Sequence, residues 1–212
     1  MNVVCMSRYL KMQDVLDRLI QSNMRVFSVL DVVKITRKKP AYVSKMLSHN
    51  KKVKRAIKGL YYITGIDGAD IYEIASNIVY PSYVSMFAAF QYYSLTDQSV
   101  IKYSVITLKR HRAAAIDGNE IEFITLNRNR FFGYKKIGNA FMASVEKAII
   151  DSLYLGSPEK ASVKEAYLDA LRHKMLKKAT LVEYAKMMHS ASLLKKVREL
   201  VRPKAKGNEV YE

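Results

Sequence analysis

The chain has 212 residues, enough for one large or two small domains, and half of them are apolar while 26% are charged, a balance that excludes wholesale disorder. Lys and Arg number 36 against 19 Asp and Glu, a formal charge of +17, so the natural counter-surface is nucleic acid or an anionic membrane. The single cysteine, Cys5, excludes an internal disulfide framework and a cysteine zinc knuckle; no apolar run approaches a membrane span, and the start lacks a signal-peptide pattern, so a cytoplasmic chain is expected.

The charge is uneven. Residues 1–66 hold 14 basic and 3 acidic side chains, and residues 32–66 hold ten Lys/Arg with no Asp or Glu. A solvated face normally mixes both signs, so this one-sign block points to a polyanion. Apolar residues from Tyr9 to Gln21 recur at helical spacing. Ser28 with Asp31 three residues on predicts a capped second helix through Ile35. After the basic turn Arg37-Lys38-Lys39, Pro40 suits the first position of a third helix ending near His49. Val43, Met46 and Leu47 define its inner face. Ala41, Ser44, Lys45 and Ser48 point outward, with Tyr42 at the flank. Lys52 to Ile57, the pair Lys58-Gly59, and Leu60 to Ile63 read as a hairpin. A helix-turn-helix followed by a basic hairpin predicts a winged helix-turn-helix over residues 1–66. Gly65 to Asp70, with two glycines and two aspartates, marks the boundary.

Residues 67–201 predict a mixed α/β domain, making the whole chain α+β. A helix is expected from Ile71 to Val79, broken at Tyr80-Pro81-Ser82-Tyr83. A second runs from Val84 to Tyr93, capped by Ser82 or Ser85, with Phe87, Ala88 and Phe90 as its packing face. Ile101–Leu108, Ala113–Ile116 and Glu120–Leu126 are β-prone, the last two flanking the tight turn Asp117-Gly118. Phe131 to Tyr134 reads as a further strand or bulge. The sheet is expected to be small and largely antiparallel. Ser144 caps a helix from Val145 to Tyr154 on which Val145, Ile149 and Leu153 share a face. Lys147 and Asp151, four apart on the opposite face, are expected to pair in solvent for a few tenths of a kcal/mol. Helical patterns at 162–178, 180–189 and 192–201 follow, and residues 202–212 are expected to form a loose tail.

Several segments together resemble one family. They are the helix-turn-helix into Ile57-Lys58-Gly59-Leu60-Tyr61-Tyr62; the run from Tyr83 to Thr96 with its alanine-bearing helix and Leu-Thr ending; Phe132-Gly133-Tyr134; and Ser144-Val145-Glu146-Lys147-Ala148-Ile149-Ile150-Asp151. In this order, over about residues 12–201, the chain resembles the AbiEi-type antitoxins of type IV toxin–antitoxin systems, described as transcriptional regulators. The helix start at Ser144 is the most specific match; Val145 stands where the family often has Pro. The resemblance implies an N-terminal winged helix that binds the operator of its own operon in double-stranded DNA. It also implies a C-terminal domain that neutralises a nucleotidyltransferase-like toxin encoded nearby.

The candidate DNA-binding set is Arg37, Lys38, Lys39, Tyr42, Ser44 and Lys45 on the turn and third helix, with Lys52, Lys54, Arg55 and Lys58 on the wing. Lysines position the backbone, while Ser44 and Tyr42 reach base edges or phosphates. Lys109, Arg110, Arg112, Arg128, Arg130, Lys135 and Lys136 form a second basic cluster in sequence, which would extend the DNA footprint, meet the toxin or its nucleic acid, or simply be solvated. Glu146 lies nearer the apolar side of its helix than Lys147 or Asp151, so it is expected to be a buried, hydrogen-bonded structural carboxylate. In that setting it needs a partner to stay ionised. Asp151 is taken as structural too.

No catalytic residue, metal site or cofactor is expected. His49, His111, His173 and His189 lack metal-ligand spacing, and no phosphate loop or nucleophile elbow occurs. Two other classes stay open. One is a metal-dependent nuclease on structured nucleic acid, for which Glu120 and Glu122 are the carboxylates. The other is a pure protein-interaction module whose basic face meets an acidic partner. No dimerisation helix is evident, and the oligomeric state stays open.

Overall fold

A computed structural model describes residues 11–202. The expected helix start at Tyr9, Cys5, and the tail beyond Arg202 lie outside the described residues. The chain divides into two compact units. The first runs to Ile78 and includes residues 137–140; the second holds 79–136 and the residues from 141 on. The division therefore falls after the first helix of the expected second domain, beyond the Gly65–Asp70 turn.

In the first unit the elements are α1 (Met12–Gln21), β1 (Val26–Ser28), α2 (Val29–Thr36), α3 (Pro40–Ser48), β2 (Val53–Ile57), β3 (Leu60–Ile63) and α4 (Ile71–Asn77). The local signals that placed them are present in the geometry. Ser28 and Asp31 form a reciprocal capping box, with Asp31 N donating to Ser28 Oγ (3.2 Å) and Ser28 N donating to the Asp31 carboxylate (2.9 Å). Pro40 opens α3. Asp70, at the end of the boundary turn, accepts from Glu73 N at 2.7 Å and starts α4. The strands form one antiparallel sheet, β1-β3-β2. β1, with only three residues, has no readable period; it pairs with β3, so β3 is central. A core of Val15, Leu16, Leu19, Phe27, Val32, Val43, Leu47, Val53, Tyr61 and Ile63 fills the space between helices and sheet.

Partial burial alone would raise the Asp31 carboxyl. Hydrogen bonds donated by the Ser28 hydroxyl (2.7 Å) and amide, with nearby Lys34, outweigh it and hold the carboxyl below its ordinary 3.8. A depressed carboxylate contributes stability above its unfolded pKa, and that contribution is lost as pH falls through the folded value. Ser28→Ala is expected to cost about 1 kcal/mol at neutral pH. The penalty should shrink once Asp31 is protonated, below its ordinary 3.8. Urea midpoints of both proteins at pH 7 and in acid check this.

The second unit holds β4 (Ser82–Val84), α5 (Met86–Tyr92), β5 (Lys102–Thr107), β6 (Ala114–Ile116), β7 (Asn119–Thr125), most of the β8 (Tyr134–Ile137) and β9 (Ala140–Ala143) hairpin, and α6 (Val145–Leu155), α7 (Lys160–Arg172), α8 (Lys178–Met187) and α9 (Ala191–Val201). The six strands lie in the order β6-β7-β5-β4-β9-β8. This corrects the expectation of a largely antiparallel sheet. β6 and β7 do form the hairpin around Asp117-Gly118. However, β7 then inserts between β6 and β5 and runs parallel to β5 in six-residue register from Lys102↔Glu120 to Thr107↔Thr125. β4 is antiparallel to β5 and parallel to β9, so the sheet is mixed. A turn signal reports a hairpin but not which earlier strand the hairpin's second arm will join.

Other boundaries shift for similar reasons. Val84, expected in the helix, ends strand β4, and α5 begins at Met86. Phe131 to Gly133 lie outside the strands, and β8 starts at Tyr134. α7 stops at Arg172 rather than near 178. Helix α6 packs against α5, α7, α8 and α9 and is buried almost all round, its polar Lys147, Asp151 and Ser152 included.

Candidate nucleic-acid interface

The one-sign block falls on the elements from the end of α2 to β3. Arg37 closes α2 in the left-handed region (φ 56°), its N–H donating to Val33 O at 2.7 Å. This sharp reversal sends the chain straight into Lys39, the N-cap of α3, and Pro40. In α3, Val43 and Leu47 are fully buried and Met46 packs against the core. Ala41, Tyr42, Lys45 and Ser48 are exposed, while Ser44 is half-buried. The expected sidedness is therefore present, except that Ser48 is occupied locally: its hydroxyl donates to Lys45 O at 2.9 Å.

Arg37, Lys39 and Lys45 are exposed. Lys38 is half-buried and engaged with Tyr42: its Nζ lies 3.5 Å from the hydroxyl and 4.5 Å from the ring centroid. Such a pair presents one cation and one aromatic edge together. Tyr42, Lys45, Met46 and His49 line a depression of about 300 Å³ on the outer side of the helix. His49 is held there by its Nδ1, 2.7 Å from Lys45 O.

The hairpin carries the rest. Lys52, Lys54, Arg55 and Lys58 are all exposed. Lys52 Nζ donates to Gln13 Oε1 at 3.2 Å, which ties the base of β2 to α1. The β2–β3 register shifts between Arg55 and Ile57, leaving Ala56 as a bulge that bends the strand end. Gly59 at the tip has φ +85°, a conformation the two-residue turn requires. Arg55 Nε donates back to Ile57 O at 3.2 Å across that bulge. α3 packs against β2, so helix and hairpin are parts of one body. Lys34, at the start of the block, pairs with Asp31 just before it, at 3.6 Å.

The second basic cluster does not gather as one set. Lys109, Arg110 and Arg112 occupy the exposed β5–β6 loop and Arg128 the loop after β7. Lys135 and Lys136 are exposed on β8, the opposite edge strand. Arg130 is half-buried and already engaged. Its Nε donates to Met188 O at 3.0 Å and its guanidinium lies 4.9 Å from the Tyr154 ring.

The largest correction concerns α6. Lys147 and Asp151 are fully buried and paired at 2.5 Å, not paired in solvent. Lys147 Nζ also donates to Arg130 O (3.0 Å) and sits 4.5 Å from the Phe132 ring centroid. Asp151 Oδ2 accepts from Ser85 Oγ (2.8 Å) and Tyr83 OH (3.2 Å). Tyr83 stacks on Tyr134 at 4.7 Å. Burial pushes the Asp151 carboxyl up and the Lys147 ammonium down, and their mutual attraction opposes both. Burial, with Asp151 adding to it, holds the Tyr83 phenol well above its ordinary value, so it remains a donor. Three of the segments behind the family resemblance, those at 83–96, 132–134 and 144–151, thus meet at one ion pair. The signal available in sequence was the flank of the pair: Ala148, Ile150 and Tyr154 leave no polar stripe wide enough for solvent.

Glu146, expected to be buried, is half-buried; its Oε1 accepts from Lys177 N at 3.0 Å. It ties α6 to the N-cap of α8 rather than to the sheet.

Gly133 sits against this cluster with φ +71°, and an added Cβ would lie 2.9 Å from Tyr184 Cε2 and 3.0 Å from Lys147 Cβ. Gly133→Ala combines a left-handed backbone with overpacking and is expected to cost about 2–4 kcal/mol. A urea melt gives the value directly.

Among the described residues no group of three His, Cys, Asp or Glu side chains is placed to hold a metal. Glu122 already accepts from Ser104 Oγ at 2.6 Å and pairs with Lys102 Nζ at 2.8 Å. No described helix is long and apolar enough to cross a membrane. No protein-family model matches the chain, and no curated protein matches it significantly.

Proposed function

We propose that this chain is a cytoplasmic DNA-binding transcriptional repressor of its own operon, acting also as the antitoxin of a type IV toxin–antitoxin pair. In this reading the first unit is a winged helix. α3 lies in the major groove of the operator and the β2–β3 hairpin is the wing against the backbone. The observation that carries it is the acid-free basic block, borne on the outer face of α3, the turn before it and the adjacent hairpin. Arg37 and Lys39 flank the start of α3, where free backbone amides also favour phosphate. Tyr42 and Lys45 are the side chains placed to reach base edges.

The antitoxin half rests on the family resemblance. It is supported by the convergence of three of its segments on Lys147–Asp151, a cluster buried too deeply to do chemistry and suited to fixing a recognition surface. The partner in this reading is a nucleotidyltransferase-like toxin encoded nearby. No observation favours the nuclease reading, because Glu122 is already satisfied by Ser104 and Lys102.

Two assays test the proposal. A reporter driven by the region upstream of the coding sequence should be repressed when the chain is supplied in trans, and repression should fail with Lys45→Glu. Growth arrest by the adjacent toxin gene should be relieved by co-expression of the chain. Unrepressed reporter expression with folded protein present would end the regulator half, and arrest without relief would end the antitoxin half.

A further inference from the structure

We propose that the second unit carries its own nucleic-acid backbone site, formed by Lys109, Arg110 and Arg112 of the β5–β6 loop with Arg128 of the loop after β7. The parallel pairing of β5 and β7 is what assembles it. Because the two strands end together at Thr107↔Thr125, both loops leave the same end of the sheet. They are tied there by Leu126 N donating to Thr107 O at 3.0 Å. Adjacent strands lie about 5 Å apart, so residues two to five positions beyond each strand end share one surface. All four side chains are exposed, and none forms a salt bridge with a described residue.

The acids of this sheet region stand at its other end. Glu120 and Glu122 lie near the start of β7, where Lys102 pairs with Glu122. Residues 108–116 and 126–144 contain no Asp or Glu at all. Charge is therefore segregated along the strands, and the basic end has nothing in the described structure to neutralise it. Loop chemistry favours phosphodiesters. Three of the four cations are Arg, whose planar fork matches phosphate oxygens, and the exposed Asn127 and Asn129 beside Arg128 add amide donors. A lipid surface fits less well, since no large apolar side chain in either loop is exposed to insert into a bilayer. Recognition of this kind is sequence-independent and strongly salt-dependent. It stands whether or not α3 reads an operator.

The test uses the full chain carrying Arg37→Glu and Lys45→Glu, so that the contribution of α3 is weakened equally in every variant compared. Onto it is placed either the patch change (Lys109→Gln, Arg110→Gln, Arg112→Gln, Arg128→Gln) or an equal charge change scattered over exposed positions (Lys160→Gln, Lys164→Gln, Lys178→Gln, Lys195→Gln). Anisotropy with a labelled duplex of shuffled sequence is followed across salt. Four lost phosphate contacts lower the log–log salt slope by about 3–4, so raising salt from about 50 to about 200 mM should weaken the parent about a hundredfold more than the patch variant. The scattered variant should keep the parent's slope. An unchanged slope in the patch variant, or an equal drop in the scattered one, overturns the site. So does loss of binding to phosphatidylserine vesicles with duplex binding retained, which would assign the patch to membranes. Circular dichroism confirms that each variant is folded. Failure of the α3 reading would show separately, as the Arg37→Glu/Lys45→Glu parent binding the upstream duplex like wild type.

Discussion

Lys147→Met is expected to destabilise the second unit by about 3–5 kcal/mol, read as a lower urea midpoint. The substitution leaves Asp151 fully buried with only the Ser85 and Tyr83 hydroxyls to stabilise it. It also strips Arg130 O of a donor. Burial already pushes the Asp151 carboxyl up, and without the ammonium it would shift further toward its neutral form. The single change Asp151→Leu should cost a similar amount, since Lys147 would then have only carbonyl, thioether and ring neighbours. The double variant should cost clearly less than the sum of the two, because neither charge remains stranded. It will not return to wild type: the hydroxyls of Tyr83 and Ser85 lose their acceptor, at about 1–3 kcal/mol for a buried unsatisfied group. A Lys147→Met midpoint within about 1 kcal/mol of wild type would be the signature of the exposed i,i+4 pair that the helix spacing suggests, and would contradict this packing.

The second large effect is on binding. Arg37→Glu with Lys45→Glu should weaken binding to the chain's own upstream duplex at least about a hundredfold and reduce the salt slope by about 2. Both side chains are exposed and form no side-chain hydrogen bond with a described residue, so the fold should be unaffected. Each reversal removes one cation from a phosphate and adds a repelling carboxylate. Lys39→Gln alone, at the N-cap of α3, should cost about tenfold and affect matched and shuffled duplexes alike, because a backbone contact carries no sequence information. Native affinity in the Arg37→Glu/Lys45→Glu chain would remove α3 from the interface and leave the hairpin or the second unit to explain any binding.

The features legible in sequence are those fixed by neighbours within a few residues. The Ser28–Asp31 box, Pro40 at the start of α3, the Lys58-Gly59 and Asp117-Gly118 turns, and the Ser144 cap all depend on backbone groups one to three positions away. The inner face of α3 was legible because Val43 and Leu47 keep helical period against a single core. What escaped depends on distant chain. β1, β4 and β9 have three or four residues each, too short to show alternation, and exist because β3, β5 and each other satisfy their backbone groups. The parallel β5–β7 pairing joins strands across an intervening hairpin arm. Helix spacing sets Lys147 and Asp151 four apart, opposite the stripe of Val145, Ile149 and Leu153, and so suggests a solvent pair. Their burial follows from helices packed around α6, and a charge enters such a place only with a partner. Half-buried Arg130 depends on distant chain too: its Nε bonds Met188 O and its guanidinium lies against Tyr154.

The most direct measurement is an anisotropy titration of the protein on its own upstream duplex and on a shuffled duplex of equal composition, at two salt concentrations. The account predicts tighter binding to the upstream duplex by about a thousandfold or more, with the gap persisting at the higher salt while both affinities fall. Equal binding to the two duplexes, erased together by salt, would contradict a sequence-specific regulator and reduce the charge of +17 to a non-specific electrostatic attraction.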